Sequence, residues 1–192
     1  MRARAVFLIA AILSLVGCKP ELPAVIRDEI ATTAKVSPGA TTVVFFTDFQ
    51  CPFCRRTHAA LAPLLAERHG RVRLVLRHVP IPAHPDARTA ARAAVCVERL
   101  TPMLLADYAH ALFEASDLSE AACEEMAVER GVDRGALQRC LSDPATDARI
   151  DRDIAMFEAV DGDGVPLLFV GRTRLEGQQS RTTLEAALDR AR

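Results

Sequence analysis

The chain has 192 residues, half of them hydrophobic, and its 24 basic and 25 acidic side chains leave a formal net charge of −1. That length suits a single domain with a sizeable core. The absence of a basic run, the lack of Trp and the few aromatics exclude a nucleic-acid footprint. Lys occurs only at positions 19 and 35, a compositional bias to which no function attaches.

Arg2 and Arg4 precede an apolar run, Ala5–Gly17. The run is too short to span a bilayer, which takes about 20 residues, and fits the hydrophobic region of a secretory signal behind a positive start. Leu15 occupies the place where ordinary cleavage expects a small residue. Leu15-Val16-Gly17-Cys18 instead resembles a bacterial lipobox, in which the cysteine is acylated and becomes the new N-terminus; the alternative is a plain signal peptide with an incidental Cys18. Lys19 stands where an aspartate would favour the inner membrane in lipoproteins of the Gram-negative type, which hints at the outer membrane. Removal of residues 1–17 leaves 175 residues with 22 basic against 25 acidic side chains, a net charge of −3.

Residues 18–40, with Pro20, Pro23, Pro38 and Gly39, read as a tether leading into a short element around Val25–Ala34. From 41 to 192 the pattern is that of a folded domain. Thr41–Thr47 is a buried strand of β-branched and aromatic residues. A helix over 51–68 follows, with Leu61, Leu64 and Leu65 inward and Gly70 ending it. Pro63 should kink it, since it lacks the N–H for an internal hydrogen bond. Arg71–Val79 alternates Val72, Leu74 and Leu76 against Arg71, Arg73 and Arg77, a second strand parallel to the first through a right-handed crossover. Pro80, Pro82 and Pro85 mark a loop.

From about 86 to 160 the pattern is helical, in pieces 86–99, 102–115, 119–130, 133–141 and 144–160. Ser119 and Asp143 are candidate N-caps. Two short strands, Val165–Val170 and Arg172–Glu176, turn at Gly171, and a helix over 180–191 ends the chain. The order is that of an α/β thioredoxin-like fold with a central all-helical insertion.

The chemistry lies in Cys51-Pro52-Phe53-Cys54, between the first strand and the first long helix. A strand delivering CxxC to a helix start is the redox arrangement of the thioredoxin architecture. Unpaired backbone N–H groups and the helix dipole stabilise the thiolate of the first cysteine, and the thiolate is the attacking form. Half of a zinc site looks the same, but no second CxxC or CxxH occurs in the chain. Cys96, Cys123 and Cys140 remain, and export would set them where disulfides persist; they read either as one pair with a buried thiol or as three small core residues.

Together the cysteine pair, the insertion and the C-terminal half resemble the DsbA-type thiol–disulfide oxidoreductases of the bacterial envelope, over roughly residues 41–192. The motifs are Phe45 to Cys54, then Arg77-His78-Val79-Pro80 with His84-Pro85, then Gly164-Val165-Pro166 to Gly171. The resemblance implies that Cys51 is the exchanging sulfur, that Cys54 resolves the mixed disulfide, and that Pro166 is a cis-proline beside which Val165 docks an extended client. Valine before that proline is similar to the oxidases of the family, whereas its isomerases usually carry threonine and dimerise through an N-terminal domain that 19–40 is too short to form. The resemblance also implies a Cys96–Cys140 bridge across the insertion, since relatives often pair cysteines at similar places. Cys123–Cys140 stays open, although loop entropy leans toward the longer closure by roughly 0.8 kcal/mol.

The chain departs from the family in two places. Relatives commonly bury a carboxylate six residues before the first cysteine, and here Phe45 stands there. Asp48 is nearer, but alternation sets it on the edge of Phe46 as a turn residue, so proton transfer to Cys54 is left to water. Phe53 stands where strong oxidases have histidine, which makes a weaker oxidant of this chain. Of the histidines, His58 reads as solvated or capping, with thiol tuning as the alternative. His78 reads as structural, with an active-site role as the alternative, and His69, His84 and His110 receive no role. A cysteine–histidine hydrolase lacks an oxyanion motif, and Cys54 would threaten a permanent nucleophile. The expected protein is a monomeric, lipid-anchored enzyme of the cell envelope, facing the periplasm or exterior. It needs no cofactor or metal. It acts on protein thiols and disulfides, oxidation favoured, with a redox partner to recycle it. The rivals are a reductase of the same fold and a non-catalytic binding lipoprotein with a structural Cys51–Cys54 bridge.

Overall fold

The computed structural model describes residues 21–191, so the run read as a signal segment and Cys18 lie outside the described residues. The elements run α1 (Ala24–Val36), β1 (Thr41–Thr47), α2 (Pro52–Glu67), β2 (Val72–His78), α3 (Ala87–Leu100), a 3₁₀ turn at Pro102–Leu104, α4 (Leu105–Glu114), α5 (Glu120–Glu129), α6 (Arg134–Leu141), α7 (Pro144–Glu158), β3 (Leu167–Val170), β4 (Thr173–Glu176) and α8 (Arg181–Arg190). This is the thioredoxin-like fold, with α3 to α7 forming the inserted helical block.

The four strands lie in the order β2-β1-β3-β4. β1 is central, which explains why its sequence is a near-continuous apolar run with no polar alternation. Val43 and Phe45 face the main core, shared with Leu61 and Leu64 of α2, the inward side of α3 and α8. Val44 and Phe46 face a second core completed by Ile26 of α1 and Phe157 at the end of α7. β1 pairs parallel to β2 from Thr41↔Val72 to Thr47↔His78. It pairs antiparallel to β3, with Phe46 opposite Leu167.

The segment read as a tether is mostly α1, in the place of the short element expected at 25–34. Its prolines punctuate the ends, Pro23 before the first turn and Pro38 beyond the last, and leave the interior free to pack Ile26 onto the sheet. α2 starts on Pro52 and runs through Pro63, which sits on its exposed side. The expected caps hold: Ser119 accepts from Ala122 N and Asp143 from Ala145 N.

Inside the insertion, Ala90, Ala93 and Ala94 on α3 give a small-residue face against which the neighbouring helices pack. Cys96 of α3 and Cys140 of α6 form a disulfide with Cα atoms 5.7 Å apart. Cys123 stays a buried thiol, donating to the Leu118 carbonyl at 3.3 Å, and burial pushes its pKa up to about 12. The chain-entropy relation for a 44-residue closure gives a stabilisation of about 4 kcal/mol. Replacing both Cys96 and Cys140 by Ala should lower the urea-unfolding free energy by roughly that amount while leaving the pH dependence of Cys51 alkylation unchanged.

Candidate active site

β1 ends at Thr47, and the chain turns through Asp48-Phe49-Gln50 to bring Cys51 to the N-cap of α2. Pro52 takes the first helical position, where its missing N–H costs nothing. Cys51 is 3% exposed and Cys54, one turn on, is fully buried. Both are free thiols in this structure.

The two sulfurs sit in opposed electrostatic settings. The pKa of Cys51 is lowered to about 6, chiefly by the hydrogen bond from the Cys54 thiol, with the backbone N–H groups of Cys54 and Phe53 adding to it. Burial and the Asp48 charge work against that. Cys54 goes strongly upward because burial disfavours its thiolate and because it is the donor to Cys51; the Thr47 hydroxyl beside it offsets only a part. Near neutrality the pair is therefore a thiolate over a thiol, the state that thiol–disulfide exchange needs.

Facing the pair is the turn into β3. The Val165–Pro166 peptide bond is cis. The Val165 carbonyl lies 3.9 Å from the Cys51 sulfur, within reach of its S–H, while Pro166 is buried and its own carbonyl accepts from Gly177 N. Phe53 stands out from the helix start at 51% exposure, with the Arg56 guanidinium over its ring at 4.9 Å. Cys51, Cys54, Pro52, Phe53, Val165 and Pro166 thus form one locality. Cys96 and Cys140 lie apart in the insertion.

These residues belong to a known lineage. The model of the thioredoxin family matches residues 37–190. The chain belongs to the thioredoxin family. It is similar to a thioredoxin-like oxidoreductase from Silicibacter pomeroyi DSS-3, with 31% identity, a TM-score of 0.69, and coverage of 81% of this chain and 88% of that one. It shares its fold with the thiol–disulfide exchange protein alpha-DsbA2 from Wolbachia pipientis, with a TM-score of 0.72, 18% identity, and coverage of 87% and 96%. BdbD from Bacillus subtilis has the same fold, with a TM-score of 0.70, 18% identity, and coverage of 80% and 88%. Among curated proteins the chain is 31% identical over 156 residues to a Na(+)/H(+) antiporter NhaA of Herminiimonas arsenicoxydans, a match that takes in 79% of this chain and 24% of the antiporter. It spans about a quarter of the length of the curated relatives it matches. In its fold the chain is DsbA-like.

Two histidines, His58 and His84, differ from their sequence reading, and His78 keeps to it. His58 is buried, where a solvated or capping residue was expected; its ring stacks on Phe113 at 4.3 Å. Burial first, and then the nearby His110, lower its pKa to about 4, which leaves it a neutral, aromatic part of the α2–α4 contact. His78 is structural: its N–H donates to Asp153, its ring lies 5.5 Å from that of Phe49, and burial lowers its pKa to about 3. His84, given no role, lies 2.7 Å from the Asp48 carboxylate. A signal for it existed in the pairing of an Asp just before CxxC with a His in the loop after β2, on the same edge of the sheet.

Phe45, in the place of the family carboxylate, is fully buried and stacks on Phe113 with ring centroids 6.2 Å apart. Position 45 therefore adds no charge, and the asymmetry rests on burial of Cys54 and on the hydrogen bond it gives Cys51. The folded pKa of Cys51 is depressed, so the stability it lends the reduced protein is full above its unfolded value and is lost as pH falls through about 6. Alkylation of reduced protein should follow a single titration with its midpoint near pH 6, with label on Cys51 and none on Cys54. Peptide mapping across pH 4–9 checks this, and Cys54 reacting first at pH 6 would reverse the two roles.

Proposed function

We propose that this chain oxidises protein thiols in the bacterial envelope, held there by acyl chains on Cys18. The observation that carries the reading is an acidic thiol at the first turn of α2 with a fully buried thiol that resists ionisation one turn on. In the oxidised enzyme a client thiolate attacks Cys51. Cys54 departs as the leaving group and takes up a proton, and a client–Cys51 mixed disulfide forms. A second client thiolate attacks the client sulfur of that bond and releases Cys51 as its stable thiolate. The client leaves with a disulfide and the enzyme holds two more electrons, which a recycling partner removes. An acidic Cys51 favours its own release from the mixed disulfide, since a thiol of low pKa leaves faster.

The backbone at Val165 and Pro166 docks the client as an extended strand beside Cys51, which the closeness of the Val165 carbonyl to the Cys51 sulfur supports. Phe53 moderates the oxidising power, because its side chain offers the thiolate neither charge nor donor. The enzyme works as a monomer. In a Cys54→Ala variant the Cys51 thiolate can still attack a client disulfide, releasing one client thiolate, but no Cys54 thiol is left to displace the client. Envelope proteins should therefore accumulate as mixed disulfides through Cys51, seen as dithiothreitol-sensitive bands on non-reducing gels. Equilibration of the wild-type protein with glutathione decides among the readings. A potential near that of thioredoxin, about −270 mV, would point to a reductase. A pair still oxidised below about −300 mV would be a structural bridge and the chain a binding lipoprotein.

The anchor has its own test. Cys18→Ser should release redox-active protein from the membrane fraction, and the wild type should carry acyl mass on Cys18. Unlipidated wild-type protein in the soluble envelope fraction would refute the lipobox reading.

A further inference from the structure

A buried carboxylate lies against this site although position 45 holds a phenylalanine. The Asp48 side chain is completely buried, and it is tied on every side. One carboxylate oxygen accepts from Gln50 N at 2.7 Å. The other accepts from Ile81 N at 2.8 Å and meets His84 Nδ1 at 2.7 Å. Its backbone carbonyl accepts from Cys51 N at 3.2 Å. Gln50 extends the tie, accepting from Asp86 N at 2.9 Å and donating to the Asp86 carboxylate at 3.4 Å. The turn that carries Cys51 is thus fastened to the loop between β2 and α3. His84 is the outward member, its side chain 25% exposed. Around Asp48 and His84 the structure sets Cys51 and Cys54 from α2, Asp86 from the start of α3, and His78 from β2 across Phe49.

We propose that Asp48, held by His84, is the positioning residue of the cysteine pair: it fixes the turn that brings Cys51 to the start of α2, and its charge, offset by the His84 N–H, sets how readily the Cys51 thiolate forms. The carboxylate restrains Cys51, in keeping with its opposing effect on that thiol. His84 lessens the restraint from the solvent side. This deepens the thiol-exchange reading and rests on it.

The two residues act in opposite senses, which a plain structural clamp would not do. Asp48→Asn removes the charge and keeps an acceptor. The Cys51 thiolate should then form at lower pH, with alkylation at pH 5 roughly threefold faster for a half-decade gain in acidity, and the disulfide should become more oxidising. His84→Phe removes the donor and leaves the carboxylate less offset, so alkylation at pH 5 should slow and the disulfide should become less oxidising. The double variant should behave like Asp48→Asn, because His84 acts through Asp48. Shifts of the same sign in both single variants, or none in His84→Phe, would overturn the proposal. His84 is partly exposed and its variant tests the idea even if Asp48→Asn fails to fold. Alkylation is measured on the isolated protein, so it still reports on this proposal if the parent fails to exchange disulfides with clients, which would sink the functional reading alone.

Discussion

A central strand buried on both faces can offer chemistry only at its end, and the architecture of this protein follows from that constraint. β1 gives Val43 and Phe45 to one core and Val44 and Phe46 to the other, so none of its side chains is free to react. Its C-terminal end is where β2, running parallel, also ends, and where β3, running antiparallel, begins. Three segments therefore leave or enter the sheet at one edge: the turn to Cys51, the loop after His78, and the Val165–Pro166 turn. The crevice beyond the carboxyl ends of the strands is where a sheet of this kind leaves room for a ligand.

The asymmetry of the cysteine pair comes from burial at Cys54 and from a hydrogen-bond partner at Cys51. Both sulfurs lie at the first turn of α2, but Cys51 precedes the helix and Cys54, within it, is fully buried in the core that also holds Phe45 and Leu61. The outer sulfur receives donors and the inner one loses water. Each effect strengthens the other, because a thiol that resists ionisation remains a hydrogen-bond donor to its neighbour. An aromatic at position 45 reinforces this division by keeping the floor of the site apolar.

How much of this could be read from the sequence depended on whether the signal was local. Strands and helices followed their periodicities within a residue or two, and the cysteine pair was visible as a motif at a junction. α1 was harder, since prolines at both ends of a helix look like prolines in a linker until a partner surface shows that Ile26 is buried. His58 lies one turn beyond Cys54, and helical spacing alone did not tell that Phe113 of a different helix would cover it. Asp48 and His84 are separated by 36 residues and lie on two loops, where no period constrains side-chain direction. The charged component of the site was thus the least legible part, because loop-to-loop contacts depend on how the whole sheet edge is assembled.

That assembly is enforced from the far side of β2. Asp153 of α7, almost wholly buried, accepts from His78 N at 3.0 Å and from Arg149 Nε at 3.1 Å, and lies 3.6 Å from Arg77 Nε. Arg77 also pairs with Glu29 of α1, and Arg149 with Glu98 of α3. A buried network of this kind tolerates the loss of a member poorly, since breaking one pair leaves an uncompensated charge at a cost of about 3–5 kcal/mol. It therefore fixes the end of β2 against α1, α3 and α7 together. The loop that carries Ile81 and His84 departs directly from that end, so its approach to Asp48 inherits the same rigidity. The helical insertion thus helps to hold the strand end beyond which His84 meets Asp48, next to the turn that carries Cys51.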